Sequence, residues 1–260
     1  MNKQAIKKLS NNWQKCGVAD GDILLIHSSI RRTIEETAFR EGKLTPEDIL
    51  FSFLDAVGPN GTILLPLFNF DFPKTCFFDI RNTPSQMGAL TEAARIHKDS
   101  IRTGHPIYSF AAIGHKAKLF KGVDNESGYG DDSPFAILHK LNGKIAILDL
   151  EDSQSMTFYH YVEEMNNVRY RYFKNFSGTY INEDGSEQIK NYKLFVRDIE
   201  KNVVTHVNPA GELMWKNGLY QGFREKTMIG LRTISSSKMF DFVTELIKSD
   251  KAEGNLFKIN

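Results

Sequence analysis

Only two cysteines occur in this 260-residue chain, Cys16 and Cys76, and they lie far apart. That excludes a disulfide framework and a paired-cysteine zinc site, and it suits a reducing compartment. Neither sign of charge is in excess. The 33 basic residues are balanced by 32 acidic ones, so there is no general attraction to nucleic acid or to an anionic membrane. No apolar run approaches the roughly 20 residues of a membrane span. The amino-terminal MNKQAIKKLSNNWQKCG is charged and amphipathic, unlike a signal peptide. A cytoplasmic protein with no membrane or nucleic-acid partner is therefore expected. Also missing are Gly-x-Gly-x-x-Gly after a strand, a P-loop, His-Glu-x-x-His and Gly-x-Ser-x-Gly. Their absence leaves dinucleotide, phosphate-loop, zinc-peptidase and nucleophile-elbow chemistries without a signature. His97, His115, His139 and His206 have no partners at metal-ligand spacing, so no metal is expected.

What is present is material for a core. Hydrophobic residues make up 41% of the chain, and short apolar runs alternate with helical patterns. Ile23 to Ile26, Thr62 to Leu65 and Ile145 to Leu148 each begin within two residues of a preceding glycine or aspartate and read as strands covered on both faces. Thr45-Pro46-Glu47-Asp48 places a capping threonine before a proline at the first helical position, and Gly58 ends the run. Thr83-Pro84-Ser85-Gln86 repeats that device, with Gln86 as the capping-box partner. Further helices are predicted from Ser133-Pro134 through Leu141, from about Ser153 to Met165, and from about Ser235 to Lys248. This alternation predicts an α/β/α sandwich with a mixed or mainly parallel central sheet, in a single domain over residues 1–260. Around Asp184-Gly185, the stretch from Phe176 to Ile199 reads as an added antiparallel hairpin. Its exposed face is a surface through which subunits could pair into a homo-oligomer.

Three segments can carry chemistry. His27-Ser28-Ser29 ends the first strand, where ligands of open α/β sheets bind, and Arg31 and Arg32 follow as candidate phosphate partners. The same residues also make an ordinary polar strand-to-helix turn. His105 precedes Pro106, in extended backbone from which a side chain can enter a pocket, or simply sit in a turn. Thr157, His160 and either Glu163 or Glu164 fall on one helical face. A carboxylate beside a histidine raises its basicity and fixes its tautomer, as a general base requires. A surface helix with a His–Glu pair has the same spacing.

Taken in order, GDILLIHSSI, DAVGPNGTILLPLFNFDF, NTPSQMGALTEA, RTGHPIYSFAAIG, DDSPFAILHKLNGKIAILD and MTFYHYVEE resemble successive motifs of the aminoglycoside 3-N-acetyltransferase family. The resemblance implies an α/β/α fold with acetyl-CoA as co-substrate in a cleft, and direct acetyl transfer to a small-molecule amine. It places His27, Ser28 and Ser29 against the coenzyme, with Met87, Gly88 and Ser109 as further contacts. It makes His160 the base, Glu163 its orienting partner through the family's His-x-x-Glu pattern, and Thr157 a neighbour. His105 and Asp71 are assigned to the substrate side.

The chain also departs from the pattern. RRTIEETAFREGKLT follows HSSI where a glycine-bearing turn is common, LDLEDSQS replaces a glycine-containing loop, and Gln86 stands where glutamate is frequent. A polycationic acceptor calls for a carboxylate-rich site, for which Asp71, Asp79, Asp131, Asp132, Glu151 and Asp152 are the candidates. The balanced charge instead favours a less cationic amine, such as an amino sugar or sugar nucleotide. Transfer to a hydroxyl, use of a longer acyl chain on a surface-polysaccharide precursor, and a catalytically inactive binding homologue are the alternatives.

Overall fold

The computed structural model describes residues 1–227 and 230–260, with the backbone alone for residues 38–41. The strands are β1 (Ile23–Ser28), β2 (Thr62–Pro66), β3 (Phe77–Asp79), β4 (Ile101–Arg102), β5 (Phe110–Gly114), β6 (Lys144–Leu148), β7 (Arg171–Ile181), β8 (Glu187–Arg197), β9 (Val203–Thr205), β10 (Gln221–Gly222), β11 (Leu231–Ser235) and β12 (Phe257–Ile259). The helices are α1 (Lys3–Lys15), α2 (Arg31–Glu41), α3 (Pro46–Val57), α4 (Phe72–Thr75), α5 (Ala89–Arg95), α6 (Pro134–Lys140), α7 (Asp152–Ser155), α8 (Phe158–Met165), α9 (Asn208–Lys216) and α10 (Ser236–Lys248).

The central sheet has seven strands in the order β10-β11-β6-β1-β2-β5-β4. Its middle, β6-β1-β2, is parallel, and β5, β4, β11 and β10 extend it antiparallel at both edges. The middle strands are apolar throughout because both faces are covered, and their side chains alternate with period two. Leu24, Ile26, Ile63 and Leu65 join Trp13, Phe53 and Leu90 of α1, α3 and α5 on one face. Leu25, Leu64, Ile145 and Ile147 join Phe135, Phe158, Met239 and Val243 of α6, α8 and α10 on the other. The result is the three-layered mixed sandwich predicted. Trp13 stacks on Phe53 at 4.7 Å, and its ring N–H donates to Ser52 Oγ at 2.7 Å, so its one polar atom is satisfied in the core.

The α3 start forms as its sequence predicts. Thr45 Oγ1 accepts from the Asp48 amide, the Asp48 carboxylate accepts from the Thr45 amide, and Gly58 closes the helix at φ 67°. The similar Thr83–Gln86 segment does not open a helix, which corrects the expectation. Gln86 instead accepts from the Phe70 amide and donates to Asp71. Its amide, spent on the 69–71 loop, cannot complete a capping box, and α5 starts after Gly88.

Two further boundaries are corrected. The predicted 153–165 helix is broken at Met156 into α7 and α8, and Asp152, which opens α7, is held in the core by Arg232, Tyr159 and Tyr220. The hairpin begins at Arg171, not Phe176, and β3 adds to it in parallel, making a three-stranded sheet. The turn itself lies at Asp184-Gly185, where Gly185 adopts φ 88°. Among the described residues, no helix is long and apolar enough to cross a membrane.

Candidate active site

Helix α8 buries Phe158, Tyr159, Tyr161 and Val162, anchoring the turn that carries His160 and Glu163. The i, i+3 spacing puts both on one side, with His160 Nδ1 2.8 Å from Glu163 Oε2. Glu163 is 1% exposed, whereas His160 keeps 21% of its side-chain surface. Glu164 turns elsewhere and accepts from Ser127 Oγ at 2.8 Å. Thr157 sits at the helix N-cap, one turn before His160, where its carbonyl accepts from the His160 amide at 2.9 Å.

The hairpin brings two further groups. Tyr170 Oη donates to Glu163 Oε1 at 3.1 Å. Arg171, at the first position of β7, places Nε 2.7 Å from Glu163 Oε2 and Nη2 2.8 Å from His160 Nδ1, while Nη1 donates to the Phe195 carbonyl. The Nε–H does not point along its ion pair, so that contact is Coulombic rather than a hydrogen bond.

The expected rise in His160 basicity is therefore offset. Burial and then the Arg171 charge hold the His160 pKa below its ordinary value, against the opposing pull of Glu163. Burial would raise Glu163, but Arg171, His160 and Tyr170 together hold its carboxyl below the usual range. Nδ1 has one ring position to offer and two neighbours competing for it. If it carries a proton, it donates to Glu163 and Nε2 keeps a lone pair. If it accepts from Arg171, Nε2 carries the proton and cannot act as a base.

His160 lines a cleft of about 350 Å³ with Tyr108, Tyr129, Arg171, Lys174, Phe176 and Arg197 among its walls. A row of rings connects it to the end of β1. His27–Phe68 centroids are 6.5 Å apart, Phe68–Tyr108 4.6 Å, Tyr108–Tyr129 4.9 Å and Tyr129–His160 5.4 Å. The HSS turn and the histidine helix, distant in sequence, are thus two ends of one aromatic wall.

Along that wall the predicted residues differ in availability. Ser28 and Ser29 are half-buried. His27 is buried with Nε2 unpartnered, and burial pushes its pKa down to about 3. Met87 is half-buried, and Gly88 caps α5 at φ 107° with open space where a Cβ would stand. Ser109 is fully buried and already occupied, accepting from Arg102 and donating to the Leu67 carbonyl. His105 is fully buried too: its Nδ1 accepts from the Ile107 and Tyr108 amides, so it shapes the loop behind Tyr108 and does not line the cleft. Asp71 is exposed, beside Phe70, whose ring lies 6.0 Å from Tyr108.

None of the candidate carboxylates lines the His160 cleft. Asp79 is paired with Arg81, which holds its carboxyl down at about 2. Glu151 and Asp152 line a separate cavity with Glu212, Glu225 and Arg232. Among the described residues, no group of three or more His, Cys, Asp or Glu side chains could hold a metal ion. Tyr170 and Arg171 were missed from sequence. The signal was the alternation Arg169-Tyr170-Arg171-Tyr172 directly after the histidine helix, which marks a strand start.

Comparison with known proteins agrees with the fold. A relative from Streptomyces paromomycinus, aminoglycoside N(3)-acetyltransferase VII, is 26% identical over 179 residues, covering 61% of this chain and 59% of that protein. The chain therefore spans less than two thirds of that relative's length. Among solved structures, AAC-IIIb in a binary complex with CoASH superposes with a TM-score of 0.78 at 20% identity, covering 94% of this chain and 96% of that one. AAC-VIa bound to sisomicin superposes with a TM-score of 0.74 at 21% identity, covering 95% and 98%. The profile of the aminoglycoside 3-N-acetyltransferase family matches residues 25–248, and with that span, most of both layers and the whole His160 cleft, the chain belongs to the aminoglycoside 3-N-acetyltransferase family.

Proposed function

We propose that this chain moves an acetyl group from acetyl-CoA to the primary amine of an amino sugar or aminoglycoside, with His160 as general base. The observation that carries the reading is the 2.8 Å His160–Glu163 contact at the wall of an accessible cleft. The CoASH-bound and sisomicin-bound family structures support the two substrates. Ser28 and Ser29 at the end of β1, with Met87 and Gly88 at the start of α5, would hold the coenzyme.

An aliphatic amine is mostly ammonium at neutral pH and lacks a lone pair. With Nδ1–H donated to Glu163, His160 Nε2 removes one ammonium proton. The freed nitrogen attacks the thioester carbonyl carbon, and the C–N bond forms as the C–S bond breaks. The proton on Nε2 passes to the departing thiolate, and the second nitrogen proton goes to solvent. No covalent enzyme intermediate is required. Cys16 is buried, its thiol pushed up to about 11, and neither cysteine lines the cleft.

Thiol release from acetyl-CoA with amino-sugar and aminoglycoside acceptors tests the reading. H160A should lose about 10²–10⁴-fold in kcat, the usual worth of a positioned base. It should keep the coenzyme-induced rise in melting temperature, since a ligand at 100 times its Kd stabilises by about 2.7 kcal/mol. Unchanged turnover would remove His160 as base, and no melting shift with acetyl-CoA would remove the coenzyme.

A further inference from the structure

The cleft beside His160 has the wrong charge for a polycation. Among its described lining residues three are cations, Arg171, Lys174 and Arg197, and none is a carboxylate. Arg171 is neutralised by Glu163 behind it. On and beside the hairpin, Lys190 pairs with Asp124, Lys193 with Glu126 and Lys201 with Asp198. Lys174 instead lies over the Phe176 ring at 5.8 Å, and no carboxylate within reach of either Lys174 or Arg197 lines the cleft.

The strand register sharpens the point. Arg171 and Arg197 are direct cross-strand partners at the open end of the hairpin. Like charges directly opposite are destabilising in a ladder, and Glu163 compensates only one of the two. The Glu151, Asp152, Glu212 and Glu225 carboxylates line a different cavity, where Arg224 and Arg232 already pair with the last three, and none of its described lining residues belongs to this cleft. The cleft walls are otherwise aromatic (Tyr108, Tyr129, Tyr172 and Phe176), flat surfaces suited to a sugar ring or a base.

Resting on the acetyltransferase reading above, we infer that the acceptor amine reaches His160 on an anionic molecule, of the class of a phosphorylated or nucleotide-linked amino sugar, whose phosphate is bound by Arg197 and Lys174. A phosphate there supplies the missing counter-charge to the Arg171–Arg197 pair through charge-assisted hydrogen bonds. The aromatic walls hold the sugar, and the amine is left to His160.

The coenzyme also carries phosphates, so the test separates the two sources. Wild type and K174E/R197E, both substitutions at exposed positions, are assayed for thiol release from acetyl-CoA with glucosamine, glucosamine 6-phosphate, UDP-glucosamine and kanamycin. A melt in the absence of ligand checks that the variant folds. Wild type should prefer the phosphorylated amines over glucosamine by about 10-fold or more in kcat/KM, with kanamycin lowest. The variant should lose about 100-fold on the phosphorylated amines, as for truncated charge pairs at an interface, with its acetyl-CoA affinity unchanged. Calorimetric titration with UDP-glucosamine, without coenzyme, should show the same loss independently of turnover. Preference for kanamycin, or equal UDP-glucosamine binding by both proteins, overturns the inference. So does a fall in acetyl-CoA affinity with acceptor preference intact, which would assign the two cations to the coenzyme. Failure of wild type to bind acetyl-CoA would instead sink the acetyltransferase reading, while the UDP-glucosamine titration would still decide the cleft.

Discussion

Replacing Arg171 with methionine isolates the competition for His160 Nδ1. The substitution keeps an unbranched apolar side chain but removes a guanidinium 2.7 Å from Glu163 and 2.8 Å from His160. Two unit charges at 4 Å interact by about 4 kcal/mol at an effective dielectric of 20. The Arg171–Glu163 pair is closer than that, and both side chains are buried. Breaking a buried pair by removing one partner typically costs about 3–5 kcal/mol, because the other charge is left uncompensated. At roughly 2–4 °C per kcal/mol for a chain of this size, the melting temperature should fall by about 6–20 °C.

The loss should depend on pH, and the direction is fixed by His160. In the wild type, burial and Arg171 hold its pKa down. In the variant, Glu163 acts without that opposition, so the folded-state pKa rises. Burial still opposes the charge in both proteins, but the variant takes up the proton at higher pH, so it gives up less stability than the wild type as pH falls below the unfolded pKa and the unfolded chain is protonated. The gap between wild type and R171M should therefore be widest in mild alkali and narrow below about pH 6.5, the unfolded value for histidine. Urea melts of both proteins across that range measure the gap, and the other buried histidines cancel in the difference. The acid limb of kcat/KM should move to higher pH in the variant, which a purely structural Arg171 would not cause. A gap independent of pH, or wider in acid, would refute the competition.

His27, pushed to about 3 by burial, stays neutral in the native state while the unfolded chain takes up its proton below about pH 6.5. Stability should fall as pH drops, and H27L should flatten that loss by about 1.4 kcal/mol per pH unit, measured by urea melts between neutrality and about pH 4.5. R232M should destabilise by about 3–5 kcal/mol in the same assay, since it strands Asp152, which also accepts from Tyr159 and Tyr220 at 2.8 Å each; a loss below about 1 kcal/mol would show that the two tyrosines satisfy the carboxylate alone. G88A should cost about 1–3 kcal/mol through backbone strain at φ 107°, ψ −178°, although open space awaits the methyl group; a neutral thermal melt would show that α5 re-forms its start.

Elements whose cause is local were legible in the sequence. The three apolar strand runs, the Thr45-Pro46 helix start, the Asp184-Gly185 turn and the Ser235 helix start each follow from neighbours in the chain, and the structure has them. Thr83–Gln86 misled because its capping side chain is claimed by residues 70 and 71. The 153–165 helix misled because its residue types carry no local stop signal at Met156, where α7 ends. In the first case a distant hydrogen bond outcompeted a local one.

The same division holds for the site. By itself the sequence determined the layered α/β arrangement and the adjacency of His160 and Glu163, because helical geometry makes residues three apart neighbours whatever surrounds them. Tertiary structure alone decided what that pair can do. The fold delivers Arg171 and Tyr170 from the hairpin onto Glu163, sets Arg197 opposite Arg171, and carries the Glu151 and Asp152 carboxylates to another cavity. The physical reason is that proton affinity and ligand charge depend on every charge within a few ångströms and on burial. Those distances are set by strand register and packing between segments that the chain order keeps apart.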